Sequence, residues 1–369
     1  MQESCIMKKS IIATAVAAGM LATGAAQASP TVYGILHLSI DTYGDDHIDP
    51  TPVTGGVVKA GSPNMVSHTS AIGIKGSEDL GNGLKAIYKA EFKVEPFIKA
   101  TGSSSSLERR DVWIGLKGGW GKAAVGTMSS NYKQMGGKID PLYRTEAEGR
   151  GIVNMQSGLH GGSGINGGRM EQAIQYTTPK MAGIEVVVNT TVAAADAGNC
   201  TGPSCDESMG IGIRWSNKNF LLYADYFDPN AAGSGPFGST TYTPADESVS
   251  KVGGKWSNKA FQVSGQYELT EDQTGGDYIF LNGLWNINNK NAVTVSWGQQ
   301  DKISDAYALA YVFSMSKQTN VYAGYASVSA DTCTGTGTGK SCSYNLGVDE
   351  NGVAHEDGNV ITLGLRKSF

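Results

Sequence analysis

Apolar and polar residues alternate singly along most of this chain, in segments of about ten residues. The last segment, Asp357 to Phe369, sets Ile361, Leu363, Leu365, Lys367 and Phe369 on one parity and Thr362, Gly364, Arg366 and Ser368 on the other. Side chains of a strand point to opposite faces in turn, so this run has one greasy and one polar face. It has the length a tilted strand needs to cross a hydrocarbon core, roughly 9–11 residues. It stops on an aromatic residue, for which a strand ending at a bilayer interface has a use. The first segment, Thr31 to Tyr43, repeats the pattern, with Val32, Leu36, Leu38 and Ile40 opposed to His37, Ser39 and Asp41.

Between them the alternation predicts further strands over Ser67–Gly76, Leu84–Glu95, Arg109–Lys117, Lys122–Met128, Arg169–Thr178 and Ile184–Val192. The second half keeps the rhythm, with Met209, Ile211, Ile213 and Trp215 set against Gly210, Gly212 and Arg214. Tight turns are read at Asp79–Gly83, Gly118–Gly121, Pro179–Gly183, Ser216–Asn219, Ser257–Lys259, Asn286–Asn291 and Lys317–Thr319. The connections between those hairpins are long, the longest irregular stretch being Ser129 to Gly168. The count is sixteen strands. An even number of alternating strands, short turns at one end and long loops at the other define an all-β, sixteen-stranded antiparallel transmembrane β-barrel. A soluble sandwich would alternate too, but would not need that asymmetry.

Composition sharpens this. Residues Met7 to Ala28 have two lysines, an apolar run from Ile11 and the small-residue site Ala26-Gln27-Ala28, the pattern of a secretory signal peptide. The expected division is a signal peptide at 1–28, with Met7 the true start, and a barrel at 29–369. Without residues 1–28 the chain carries 27 basic and 33 acidic residues and no basic block, so nucleic acid is not an expected partner. Of the five cysteines, four fall in the exported part as two close pairs, Cys200/Cys205 and Cys333/Cys342. An even count in an exported protein points to disulfides, and two local bridges are expected; no histidine lies near either pair, so zinc through them is not.

At this point the chain resembles a known family. Thr31 to Leu36, Gly73 to Ala86 (GIKGSEDLGNGLKA), Trp113 to Gly126 (WIGLKGGWGKAAVG), Tyr176 to Gly183 (YTTPKMAG) and the ending Gly364-Leu365-Arg366 with Phe369 are similar to stretches of the trimeric general porins of Gram-negative bacteria, of the β-proteobacterial and neisserial type. The resemblance implies a homotrimer in outer-membrane lipid and lipopolysaccharide, and passive diffusion of small hydrophilic solutes and ions. It also implies a third loop, 129–168, folded into the lumen as a constriction, and a terminal Phe369 used in barrel assembly. Two positions depart from it: relatives commonly carry Arg where this chain has Ala71 and Thr127, which thins the basic wall.

A pore needs no nucleophile, only charges placed around its narrowest ring. Strand parity and the resemblance nominate Lys75, Lys89, Lys93, Arg109, Arg110 and Arg169 as the basic wall, and Asp140, Glu146 and Glu148 of the third loop as opposing acids. Arg110 shares parity with Val112, Ile114 and Leu116, which a β-bulge or a position at the rim would reconcile. The balance leans to anion selectivity. No cofactor, metal or enzyme activity is expected: Gly162 to Gly167 spells GxGxxG without its strand and helix, Thr334 to Ser341 is a near miss for a phosphate loop, and the five histidines lack HExxH spacing. A structural sheath or adhesion protein, working through its outer loops, is the alternative function.

Overall fold

The computed structural model describes residues 30–44, 47–48, 57–58, 60–97, 107–149, 155–160, 168–192, 208–228, 248–270, 276–301, 303–330, 333–334, 341–342 and 357–369. Cys200 and Cys205, residues 1–28, and the glycine-rich decoys at 162–167 and 335–340 lie outside them. Sixteen strands form one antiparallel sheet. They are β1 (Thr31–Tyr43), β2 in two pieces (Pro63–Ser67 and Ala71–Gly81), β3 (Leu84–Val94), β4 (Leu107–Gly118), β5 (Gly121–Ser129) and β6 (Arg169–Thr177). There follow β7 (Ile184–Thr191), β8 (Met209–Ser216), β9 (Phe220–Asp228), β10 (Val249–Ser257) and β11 (Phe261–Leu269). The last are β12 (Tyr278–Asn286), β13 (Asn291–Gln300), β14 (Ser304–Ser314), β15 (Thr319–Ala330) and β16 (Asp357–Ser368). Each strand pairs with the next, and β16 pairs back to β1 from Ile35↔Ser368 to Tyr43↔Val360, so no edge is left open.

The polarity of the sheet is inverted relative to a soluble protein. Ile361, Leu363 and Leu365 are more than half exposed while Thr362 between them is fully buried. The same holds around the barrel: Ile211 and Ile213, Val263 and Leu269, Val295 and Leu309 face out, and Gln266, Asn282, Thr294 and Ser296 are enclosed. A closed apolar belt of this extent has no place in water and a clear one in lipid. Aromatic side chains gather at the short-turn end, where Trp215, Phe220, Trp256, Phe261 and Trp285 sit beside the turns and Trp120 stacks on Tyr176 at 6.2 Å. That is the girdle an interface selects.

Local chemistry explains the turns. Between β2 and β3, Asn82 and Gly83 both take positive φ (51° and 76°), the left-handed pair that a two-residue hairpin needs. Phe369 exchanges backbone hydrogen bonds with Gly34 (Gly34 N to Phe369 O 3.0 Å, Phe369 N to Gly34 O 3.1 Å). A Cβ on residue 34 would stand 2.3 Å from the Phe369 ring, so glycine is what lets the ring lie across the closing seam.

Candidate pore and its loop

The segment after β5 turns inward. Ser130 caps the short helix α1 (Asn131–Ile139) by accepting from the Lys133 N–H at 3.1 Å. The helix then runs along the inner faces of β7 to β11, bonded to each strand in turn. Asn189 accepts from the Asn131 N–H (2.7 Å), Arg214 donates to the Asn131 carbonyl (3.0 Å), and Asp225 accepts from the Asn131 amide (3.0 Å). Lys255 donates to the Lys138 carbonyl (2.8 Å) and Ser264 to that of Ile139 (2.6 Å), satisfying carbonyls that the helix end leaves open.

At the centre of this seam lies a buried polar knot. Lys251 Nζ donates to the Tyr132 carbonyl (2.5 Å), sits 2.7 Å from His160 Nε2, and lies 4.0 Å above the Tyr132 ring. The Tyr132 hydroxyl donates to Glu268 at 2.9 Å. Burial and the neighbouring Glu268 carboxylate push that hydroxyl well above its ordinary pKa, so it stays a donor. Apolar contacts complete the anchoring: Met135, Ile139, Leu142 and Met155 are buried against Phe280 and the small inner residues Ala306, Ala308, Ala310 and Ala326. Each such side chain contributes about 1.5–3 kcal/mol when fully buried.

Across from the helix stands the inner face of β3 to β6. Lys89 Nζ bridges Asp111 (2.8 Å) and Glu91 (3.1 Å), Arg110 Nε donates to Glu91 (2.7 Å), and Arg169 Nε donates to Asp111 (2.9 Å). Tyr33 donates to the other Glu91 oxygen at 2.9 Å and carries Lys75 over its ring at 5.0 Å. Lys93, further along β3, lies near Glu95 (3.8 Å) and Glu108 (3.7 Å). Between wall and loop a cavity of about 240 Å³ opens, lined by Lys89, Arg110, Lys133, Lys138, Arg144 and Arg169 against only two acids, Glu91 and Asp111.

Of a bulge and a rim position, the structure shows the bulge. The β3–β4 register slips between Ala90 and Phe92, so Arg110 and Asp111 together oppose Glu91, and Arg110 turns inward despite its parity with Ile114 and Leu116. The same slip sends Arg109 the other way. It sits half-exposed on the parity of the outward Leu107, paired with Glu171 at 2.8 Å, so the structure takes it off the basic wall where the sequence placed it.

The three acids of the loop do not form an opposing wall either. Asp140 spends both oxygens on its own loop, accepting from the Leu142 N–H (2.8 Å) and the Gly149 N–H (2.7 Å). Glu148 accepts from the Arg144 N–H at 2.6 Å, and Glu146 turns to His68 at 3.7 Å. Sequence reasoning missed Lys133 and Lys251 and the meeting of His37 with His68. The partners of each are distant in sequence, and only the closed barrel brings them together.

A closed sixteen-stranded barrel with an apolar outer belt, a polar lumen and a loop helix on its inner wall is an outer-membrane protein of the porin class. Residues 13–332 match the family model described as Gram-negative porin, and the chain belongs to that family. It is 28% identical over 283 residues to an outer membrane porin protein of Bordetella pertussis, covering 72% of this chain and 70% of that one. It is 30% identical over 261 residues to the major outer membrane protein P.IB of Neisseria lactamica, covering 70% and 69%. Among solved structures, an anion-selective porin from Comamonas acidovorans superposes with a TM-score of 0.66 at 19% identity, over 93% of this chain and all of the other. The protein is a Gram-negative outer-membrane porin, and its relatives are channels rather than enzymes.

Proposed function

We propose that the gap between α1 and the β3–β6 wall is the constriction of a passive diffusion channel that prefers anions. The observation that carries this is the lining of that gap, six basic side chains against two acidic ones. Fixed charge in a narrow, low-dielectric passage weighs more than in bulk water. The departures at Ala71 and Thr127 remove charge from the wall, but Lys133, Lys138 and Arg144 return it from the loop. Asp140 and Glu148 keep their charge but do not line the gap, their oxygens being turned to loop N–H groups. The similarity to an anion-selective porin agrees with this reading. No nucleophile is required.

The chain is further read as a homotrimer, exported by a signal peptide at residues 1–28. An outer membrane protein of Vibrio cholerae with a similar fold is described in a trimer form. A local Cys333–Cys342 bridge fits the short ribbon in which those two residues face each other, because opposite Cα atoms in such a ladder stand about 4.5–5.5 Å apart, within disulfide range. The test is planar-bilayer recording of purified protein under a potassium chloride gradient. Stepwise channels whose reversal potential reports chloride preference are expected. Channels that prefer potassium would overturn the selectivity, and a silent protein would overturn the channel.

A further inference from the structure

The apolar belt has a trough where β14, β15 and β16 run side by side toward the short-turn end. Ala323 sits directly between Tyr311 of β14 and Leu363 of β16 in one cross-strand row, and Val321 sits between Phe313 and Leu365 in another. Small side chains between large ones leave a groove of about 620 Å³ on the outer surface, with Met315 at its turn end. We infer that this trough and the lysines at its mouth bind an anionic phospholipid of the periplasmic leaflet, an acyl chain lying in the trough and the phosphate at the lysines.

Position selects the leaflet. From Ala323 to Thr319, where β15 begins, is about 13 Å of strand at about 3.3 Å per residue, or half of a belt about 25 Å tall. Short turns of such barrels face the periplasm, so the trough opens to that leaflet alone. Among its lining residues only Tyr311 and Tyr322 carry a hydroxyl, and both are engaged elsewhere: Tyr311 donates to Asn291 Oδ1, and Tyr322 meets His37 Nε2 inside the barrel at 3.0 Å. The trough therefore offers a guest dispersion contacts and no hydrogen bond, which suits a hydrocarbon chain. Every competing lipid tail is equally apolar, so the choice among lipids lies with the headgroup.

Three exposed lysines surround the mouth. Lys317 lies in the β14–β15 turn. Lys290 is brought alongside it by the Ser314 N–H, which donates to the Lys290 carbonyl at 2.7 Å. Lys367 stands opposite Thr319 in the β15–β16 ladder, on the outward parity of Leu363 and Leu365. The stretches 286–291, 314–320 and 364–368 that form this mouth contain no Asp or Glu. Phe369, whose carboxylate ends the sequence, is hydrogen-bonded to Gly34 on the far, β1 side of β16. The mouth is thus a cationic pocket that a phosphodiester complements, and each lysine strengthens binding to an anionic lipid about 5-fold. Lys218 and Lys259 stand in other turns of this end, but are flanked by Trp215 and Phe220 and by Trp256 and Phe261 rather than opening onto the trough.

The test is native mass spectrometry of the full chain, purified from outer membranes, delipidated in mild detergent and titrated with dioleoyl phosphatidylglycerol or dioleoyl phosphatidylcholine. One phosphatidylglycerol per chain is expected, bound at least ~10-fold more tightly than phosphatidylcholine. Lys317→Gln and Lys367→Gln should each weaken it about 5-fold, and both together with Lys290→Gln about 100-fold. Ala323→Phe fills the trough from an already exposed position, leaves the lysines in place and should also weaken it; an unchanged melting temperature shows that each variant is folded. Equal uptake of the two lipids, or binding that survives the triple change or Ala323→Phe, overturns the site. An equal loss in a Lys218→Gln/Lys259→Gln control would replace it with a generally basic rim. Oligomers that fall apart on Ala323→Phe, with lipid uptake unchanged, would replace it with a seam between copies. None of these readouts depends on ion selectivity, so failure of the lipid site and failure of the anion-preferring constriction are separable.

Discussion

Exchanging one charge at the gap should move its selectivity by a factor that can be worked out beforehand. Arg110 and Glu91 are ion-paired at 2.7 Å on the same wall, so neutralising either changes the lining charge by one unit in opposite senses. A unit charge about 6 Å from a passing chloride contributes about 0.7 kcal/mol at the dielectric of water, and several times more at an effective dielectric of about 20. The gap is open to water, which favours the lower figure. In 0.1 M salt, with a Debye length of about 10 Å, screening lowers it to about 0.4 kcal/mol. The charge acts on chloride and potassium in opposite senses, so the two differ by about 0.8 kcal/mol; Arg110→Gln should therefore reduce the chloride-to-potassium permeability ratio about 4-fold, and Glu91→Gln should raise it by a similar factor. Glutamine at 91 keeps one oxygen to accept from Arg110 and can donate its amide N–H to the Tyr33 hydroxyl oxygen, so the wall geometry should persist. The assay is the reversal potential in a planar bilayer under a salt gradient, for both variants and the wild type. Two shifts of the same sign, or none in either, would refute the claim that this gap sets selectivity.

Four further outcomes are expected. Lys251→Met should loosen the third loop, because it removes the cation that donates to the Tyr132 carbonyl, a loss of about 1.5–3 kcal/mol for a hydrogen bond made by a charged group; faster proteolysis of the loop and noisier single channels would show it, and quiet channels would sink it. Gly34→Val should lower the unfolding temperature by forcing the Phe369 ring off the seam, at about 1–3 kcal/mol of overpacking, whereas an unchanged melt would mean that the ring does not help close the barrel. Arg109→Ala, which the sequence would have chosen to test the pore, should leave the reversal potential within error, since that side chain pairs with Glu171 on the outer side. Peptide mapping without reductant should recover Cys333 and Cys342 in one linked fragment, and free thiols at both would remove the bridge.

The fold was legible because its rule has period two. The parity of Ile361, Leu363 and Leu365 against Thr362 is enough to orient β16, and the short turns at Asn82-Gly83 and Trp120 follow from residues that favour them. The site was less legible because it breaks that rule. A bulge shifts parity by one residue and flips every side chain beyond it, which is why Arg110 faces in and Arg109 out, the reverse of what the parity of Ile114 and Leu116 gives. The family likeness and the structure agree that Arg110 points inward, where periodicity alone points it outward.

The acids of the third loop failed as predictions for a different reason. A carboxylate two residues from a backbone N–H, as Asp140 is from Leu142, competes locally for that donor, and a compact loop without strand pairing needs such braces. Composition reports a charge; only the fold reports where that charge sits relative to the path of an ion. The arithmetic of the pore therefore follows from hydrogen bonds as much as from residue types. Asp140 and Glu148 hold the loop in the shape that brings Lys133, Lys138 and Arg144 to the gap, and in doing so they withdraw their own oxygens from it. A loop with a nearly even charge count thus presents a basic face, which is how anion preference can survive the loss of arginines at Ala71 and Thr127.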